Sequence, residues 1–432
     1  MCLPPFYMQG VRNMEKYIIN GNHMLSGDLT VQGSKNSALP ILAATLLTNG
    51  TSTLCNVPEL TDIQAEIRIA GLLGCRISFS NHTLTVDTAA VHPCPIPQEL
   101  MGALRSSVIF LGAMLARFGE ASVSFPGGCG IGSRPIDYHL ALLEEMGAVV
   151  ECENGERLHC TAPDGLHGAD ITLPYPSVGA TENALLAAVT AKGKTVIDNA
   201  AREPEIEDLA RYLNRCGARI HGAGERTVIV EGVATLSGCT HTVIPDRIMA
   251  LTYAAAAAVT GGSALLRGVN PLHLSPVLPY LEKAGCRIRT GSDSLFIKAP
   301  RRLQSMGVIR TGPYPAFPTD CQPLFMAVSA VAHGVTVVTE RVFENRFLHV
   351  DAMRRFGAAI ETENNAVAII EGVNRLHGAR AEAPDLRGGA ALVLMALAAE
   401  GQSTVSGLHH IDRGCENFQQ SLTALGADIT RA

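Results

Sequence analysis

The chain has 432 residues, enough for two or three domains with proper cores, and its formal charge of -6 comes with no basic tract, which argues against nucleic acid or an anionic membrane surface as partner. Its 12 cysteines form no C-x-x-C pair and no Cys/His group at zinc spacing, so neither disulfides nor a structural metal are expected, and a reducing cytoplasm fits. Apolar runs such as Ala254–Val259 and Ala390–Ala399 fall well short of the roughly 20 residues that cross a bilayer, which leaves small molecules as the expected partners.

Met1–Asn13 carry no periodicity that the rest of the chain needs, and they are read as a disordered extension or as an upstream start ahead of Met14. After them one phrase recurs, Gly-(Ala/Cys)-x-(Ile/Val), at Gly74, Gly147, Gly217, Gly285, Gly357 and Gly426, with spacings of 73, 70, 68, 72 and 69. The glycine suits the position after a helix, where a left-handed residue is wanted, and the apolar residue opens a strand. A second mark lies about 25 residues earlier, a glycine followed by small and β-branched residues. It is seen at Gly50-Thr51-Ser52-Thr53, Gly193-Lys194-Thr195-Val196, Gly334-Val335-Thr336-Val337 and Gly401-Gln402-Ser403-Thr404.

Each unit therefore predicts strand, alanine- and leucine-rich helix, glycine, strand, loop, amphipathic helix, glycine, strand. The first helices, such as Ala38–Leu47, Asn183–Ala191 and Ala390–Ala399, are apolar almost all round and are expected inside; the second, such as Glu205–Cys216 and Phe418–Leu425, are amphipathic and expected outside. Six such α/β units divide best into two groups of three, since about 200 residues is an ordinary domain size. Gly193-Lys194-Thr195 mimics the end of a phosphate-binding P-loop but fails: Ala188 stands where a glycine is required, and a strand follows where a helix should.

Phe125–Pro135 is glycine-rich, with one cysteine and one arginine able to do chemistry. Its four glycines let the backbone lie against a ligand or swing over it. A thiol with an ordinary pKa near ~8.5 can give up a proton or attack, and Arg134 favours the anion of Cys129. A dinucleotide fingerprint on Gly128, Gly130 and Gly132 has the wrong spacing, and Pro135 interrupts the helix start. Elsewhere polar groups collect at equivalent strand-to-helix junctions: Lys35-Asn36, Arg105, Ser177–Asn183, Asp246-Arg247, Asp320 and Arg387 before the inner helices, Cys129–Asp137, Arg202-Glu203, Arg346 and Arg413 before the outer ones. Helix N-termini favour anions, and guanidinium groups there favour phosphate and carboxylate, so a highly anionic ligand is expected. Among these cations Asp320 stays ionised and suits a general base, with a helix N-cap as its alternative role.

Gly33-Ser34-Lys35-Asn36-Ser37-Ala38, Pro126-Gly127-Gly128-Cys129, Ile131-Gly132-Ser133-Arg134-Pro135, Ser177-Val178-Gly179-Ala180-Thr181, Arg202-Glu203-Pro204-Glu205, Phe317-Pro318-Thr319-Asp320, Phe343-Glu344-Asn345-Arg346 and Ile411-Asp412-Arg413-Gly414 resemble the motifs of the UDP-N-acetylglucosamine enolpyruvyl transferases, 1-carboxyvinyltransferases that commit a sugar nucleotide to peptidoglycan. The resemblance covers nearly everything after Met14. It implies two inside-out α/β barrel domains of three repeats each, residues 35–244 carrying the Cys129 loop and residues 14–34 plus 245–432 closed by the N-terminal strand.

It also implies the reaction, without cofactor or metal: the sugar 3-hydroxyl attacks phosphoenolpyruvate, a phosphate-bearing tetrahedral intermediate forms, and phosphate leaves. Cys129 would protonate the methylene or join the substrate covalently. Lys35, Arg134 and Arg413 would hold phosphate and carboxylate, with Arg387 beside them. Asn36, Arg105, Pro135, Ile136, Asp137, Tyr138, Ser177, Val178, Gly179, Asp320, Val342 and Arg346 would line the substrate site, and Asp320 would take the hydroxyl proton. Tyr175 stands where some members place a lysine, Met249 where an acid is frequent, and Cys321 and Cys415 add thiols beside Asp320 and Arg413. The shikimate-pathway enolpyruvyl transferases resemble this family but lack the cysteine loop, and a silent sugar-nucleotide-binding paralogue need not keep Lys35, Cys129, Asp320 and Arg413 together.

Overall fold

A computed structural model describes residues 15–103, 105–125, 130–132, 135–153 and 157–432. Six helices form its interior: Lys35–Thr45, Phe110–Phe118, Val178–Ala188, Arg247–Val259, Gln322–Ala330 and Leu386–Ala398. Alanine and leucine dominate them, so they propagate well and are buried on nearly every side. Lys35–Thr45, Val178–Ala188 and Leu386–Ala398 begin three to five residues ahead of the sequence expectation because side-chain caps set their start. Ser34 accepts from Ser37 N, Ser177 from Ala180 N, Asp246 from Ile248 N and Met249 N, and Asp385 from Arg387 N and Gly388 N. The outer helices bury one face only. Pro204–Arg215 opens with proline at its first position and buries Ile206, Leu209, Tyr212 and Leu213, each apolar side chain adding about 1.5–3 kcal/mol.

Small sheets cover the helices. In the sheet 170–172, 194–198, 228–231, 219–221, the first two strands run parallel and the rest antiparallel. The same order recurs with 240–242, 51–55, 83–87, 76–80; with 26–30, 263–267, 294–298, 287–290; and with 308–310, 335–339, 367–371, 359–363. A three-stranded sheet, 120–124, 157–161, 149–153, follows it with Ile96 bridging Val123 in parallel. Each of these five units thus gains a return strand that the sequence pattern does not predict. In the first unit the return is a tight turn: Arg76–Ser80 runs into Thr83–Asp87 across Asn81 and His82, both at positive φ. The six phrase glycines all sit at positive φ, between 87 and 107°, which explains why the phrase recurs.

The sixth sheet borrows from the other end of the chain. Lys16–Asn20 pairs antiparallel with both Gln402–Ser406 and Asp428–Arg431, taking the place of the return strand. Two hydrophobic cores result, one from residues within 38–243 and one from 17–31 with 248–429. Between them the chain crosses twice, and the crossings run side by side: Ser34 N donates to Ile244 O at 2.7 Å, Asp246 N to Gln32 O at 2.9 Å, and Gly33 bridges Pro245. A Cβ on Gly33 would stand 1.7 Å from Asn56 O, so only glycine fits that crossing.

Candidate active site

The starts of the inner helices of both cores meet near these crossings, and their charged side chains sort into groups. Lys35, the first residue of its helix, is buried and places Nζ 3.0 Å from Asp62 Oδ2. Arg413, from the other core's side, donates from Nε to Asp62 Oδ1 at 2.9 Å. Asp62 is therefore a buried carboxylate shared by two cations, one from each half. Lys35 N also donates to Asp246 Oδ2 at 3.3 Å. Burial pushes the Asp246 carboxyl up, against the pull of Arg387 and of the backbone N–H groups it caps.

Asp320 lies inside the 3-10 turn Thr319–Cys321, whose N-cap position is held by Pro318. Its Oδ1 accepts from Arg346 Nη2 at 3.0 Å and its Oδ2 from Arg387 Nε at 3.2 Å. Both arginines are buried. Burial alone would lower Arg387, but Asp320 and Asp246 outweigh it and hold the guanidinium charged. Arg346 lies over the Phe343 ring at 5.9 Å, and its Nη1 reaches Asp385 Oδ1 at 3.5 Å. Val342 is held by its own N–H, which donates 2.8 Å to Glu340 Oε1; Thr311 and Thr319 donate to the same carboxylate. Arg387 thus pairs with Asp320, while Lys35 and Arg413 meet on Asp62.

A third group joins Arg247 to Glu205 at 3.0 Å, with the guanidinium 5.6 Å from the Tyr314 ring centre, and Tyr314 N donates to Glu203 Oε1. Glu66 and Glu182 are buried close by. Burial pushes Glu66 up to about 8 and Glu182 well above the ordinary carboxyl value, so these acids hold protons that surface acids release. Ser177, Val178 and Gly179 form the half-buried start of their helix, which Asn183 fixes from below: it donates to Val108 O and His139 Nδ1 and accepts from Gly112 N.

Pro135 and Asp137 are exposed, Ile136, Tyr138 and Asn36 half-buried. Cys129 and Arg134 lie outside the described residues, as does the side chain of Arg105. Next to Cys129, Ile131 is buried and its carbonyl accepts from Asn345 N at 3.0 Å, while Gly132 lies against Glu344. This part of the glycine-rich loop therefore touches the segment that carries Arg346. Cys321 and Cys415 are fully buried, and burial pushes both thiols up to about 12. Arg202 is exposed and turned to Gly224 O. Sequence reasoning missed Asp62, Glu340 and Asp385; Asp62 occupies the junction that Arg413 holds in the sixth unit, a signal the repeat comparison could have used. Among the described residues no group of three or more His, Cys, Asp or Glu could hold a metal ion, and no helix is long and apolar enough to cross a membrane.

A family profile described as EPSP synthase (3-phosphoshikimate 1-carboxyvinyltransferase) matches residues 19–422. The chain is 47% identical over 418 residues to "UDP-N-acetylglucosamine 1-carboxyvinyltransferase 2" of Caldanaerobacter subterraneus subsp. tengcongensis, covering 97% of this chain and 100% of that one. It is 46% identical over 426 residues to "UDP-N-acetylglucosamine 1-carboxyvinyltransferase 1" of Symbiobacterium thermophilum, covering 98% and 96%. Among solved structures, the enolpyruvyl transferase NikO from Streptomyces tendae matches with a TM-score of 0.88 at 25% identity, over 97% of this chain and 99% of that one. EPSP synthase from Acinetobacter baumannii matches with a TM-score of 0.75 at 20% identity, over 97% and 100%, a likeness of fold. Helices inside, sheets outside and six repeated units are thus the enolpyruvyl transferase fold, and the chain belongs to the EPSP synthase family, among its UDP-N-acetylglucosamine 1-carboxyvinyltransferases.

Proposed function

We propose that the chain transfers the enolpyruvyl group of phosphoenolpyruvate to the 3-hydroxyl of UDP-N-acetylglucosamine, releasing phosphate, as the first committed step of peptidoglycan synthesis in the cytoplasm. The observation that carries this reading is the pair of carboxylate-centred cation groups, Lys35 and Arg413 on Asp62, and Arg346 and Arg387 on Asp320. Both substrates are anionic, and one carboxylate is needed to accept a hydroxyl proton. Asp320 is that base: two guanidinium groups favour its charged form, and its side chain remains 29% exposed.

Attack of the hydroxyl oxygen on the substituted carbon of phosphoenolpyruvate, with a proton delivered to the methylene, makes the tetrahedral intermediate. Loss of a proton from the new methyl group and departure of phosphate restore the double bond as an enol ether. Cys129 supplies the methylene proton or a covalent link. Lys35, Arg134 and Arg413 hold the phosphate and carboxylate. Asn36, Arg105, Pro135–Tyr138, Ser177–Gly179, Val342 and Arg346 line the sugar nucleotide. Residues 35–244 and 14–34 plus 245–432 act as two domains that close on the substrates, and the Ile131–Asn345 contact fits the closed arrangement.

Phosphate release on mixing the two substrates tests the reading. Release with UDP-N-acetylglucosamine and none with shikimate 3-phosphate is expected. The reverse preference would assign the chain to the shikimate reaction, and nucleotide binding without release would make it a binding module.

A further inference from the structure

Behind Asp320, two buried side chains with unpartnered polar atoms among the described residues lie side by side. Asp385 Oδ1 accepts from Arg387 N at 3.0 Å, Gly388 N at 3.1 Å and Arg346 Nη1 at 3.5 Å, whereas Oδ2 accepts nothing. His349 is fully buried, and apart from a weak approach to the Arg346 backbone neither ring nitrogen has a partner. Gly388 separates the two: a Cβ there would lie 2.8 Å from Asp385 Oδ2 and 3.0 Å from His349 Cβ. Leaving either group unpaired is costly, and a leucine at 349 would fill the space without that cost. An imidazole beside an unsatisfied carboxylate oxygen calls for an N–H bond between them.

We propose that His349 is a positioning residue: its neutral ring donates an N–H to Asp385 Oδ2 and fixes the carboxylate that aligns Arg346 and, through it, Asp320. Burial holds the ring down to about 4, so at neutral pH it is uncharged and carries one N–H. Arg346 and His349 stand three residues apart on the segment entering helix Val350–Arg355, so one short stretch brings both against Asp385. The two backbone N–H groups and the long 3.5 Å contact from Arg346 all fall on Oδ1, which leaves Oδ2 to be fixed from elsewhere, while the other arm of the same guanidinium holds Asp320 at 3.0 Å. A rotation of Asp385 therefore reaches the base through a single side chain. The role rests on the reading of Asp320 as base.

Two measurements on the full chain test it. With 15N-labelled histidine, one imidazole N–H should resist exchange with solvent, vanish in His349→Leu and shift in Asp385→Asn. In turnover, His349→Leu should lower kcat roughly 10-fold with little change in KM for UDP-N-acetylglucosamine, since misplacing a group costs the chemical step more than binding. His349→Gln, which offers an amide N–H, should recover part of the loss and covers the case in which the leucine variant does not fold. The absence of a protected imidazole N–H would overturn the bond. Normal turnover in folded His349→Leu, or a loss that glutamine leaves unchanged, would overturn the positioning role. A parent chain without transfer activity would instead defeat the reading of Asp320, and the positioning role with it, while the protected N–H would still report the bond.

Discussion

Replacing Asp62 by Asn should weaken the folded chain and strengthen its grip on phosphate at the same time. The carboxylate stands 3.0 Å from Lys35 Nζ and 2.9 Å from Arg413 Nε. At an effective dielectric of about 20, each such contact is worth about 5 kcal/mol before desolvation. Desolvation offsets much of this, and removing one partner of a buried pair typically costs about 3–5 kcal/mol. The Arg413 side chain is 30% exposed, which moves the expectation to the lower end, about 3 kcal/mol, measured by urea denaturation. A phosphate bound by Lys35 and Arg413 would compete with Asp62 for the same cations. Without that competitor, titration with inorganic phosphate should show about 10-fold tighter binding, equal to 1.4 kcal/mol. A variant that is destabilised and binds phosphate no better would show that Asp62 shapes the site instead of competing within it. Unchanged stability would refute the buried pair itself.

Asp320→Asn keeps the shape and removes the proposed base, so turnover should fall roughly 100-fold or more while UDP-N-acetylglucosamine binding, followed by titration, persists; near-normal turnover would exclude Asp320 as the base. Fosfomycin, an epoxide phosphonate, should alkylate Cys129 and spare Cys321 and Cys415, whose buried thiols are pushed up to about 12; peptide mass mapping decides, and adducts on either buried thiol count against the site. Glu66 keeps its proton in the folded chain to about pH 8, against the ordinary 4.5 in the unfolded one, so folding binds a proton between those values. Its contribution is fully present below the unfolded value and is lost as pH rises through the folded one, by about 1.4 kcal/mol per unit. Glu66→Gln should flatten this slope in denaturation curves, and parallel pH profiles for variant and parent would acquit Glu66.

The glycine phrase was legible because a backbone requirement, positive φ after a helix, leaves few residue choices and repeats six times. The inner helices were legible from composition, but their starts were not, since caps such as Ser34 and Asp385 are set by one side-chain geometry apiece. The return strands escaped notice because stretches such as Thr83–Asp87 are short and lie only two residues beyond their partners. At the site, a search for groups that hold anions finds Lys35, Arg346, Arg387 and Arg413. It passes over the acids those cations rest on, Asp62 and Asp385, because a pairing made only by folding leaves no local pattern, whether it spans 39 positions, as for Asp385 and Arg346, or 351, as for Asp62 and Arg413.

The borrowed N-terminal strand gives the two cores unequal histories during synthesis. Residues 38–243 emerge in one continuous run and can pack as soon as they leave the ribosome. Lys16–Asn20, made first, has its neighbours at Gln402–Ser406 and Asp428–Arg431, made last. At about 5–20 residues per second, the strand waits on the order of a minute with Tyr17 and Ile19 uncovered and both edges open. The second core is therefore completed by the final strand of the chain. A ribosome that stalls late leaves the first core's residues tethered to an unpaired strand, a form open to aggregation and proteolysis.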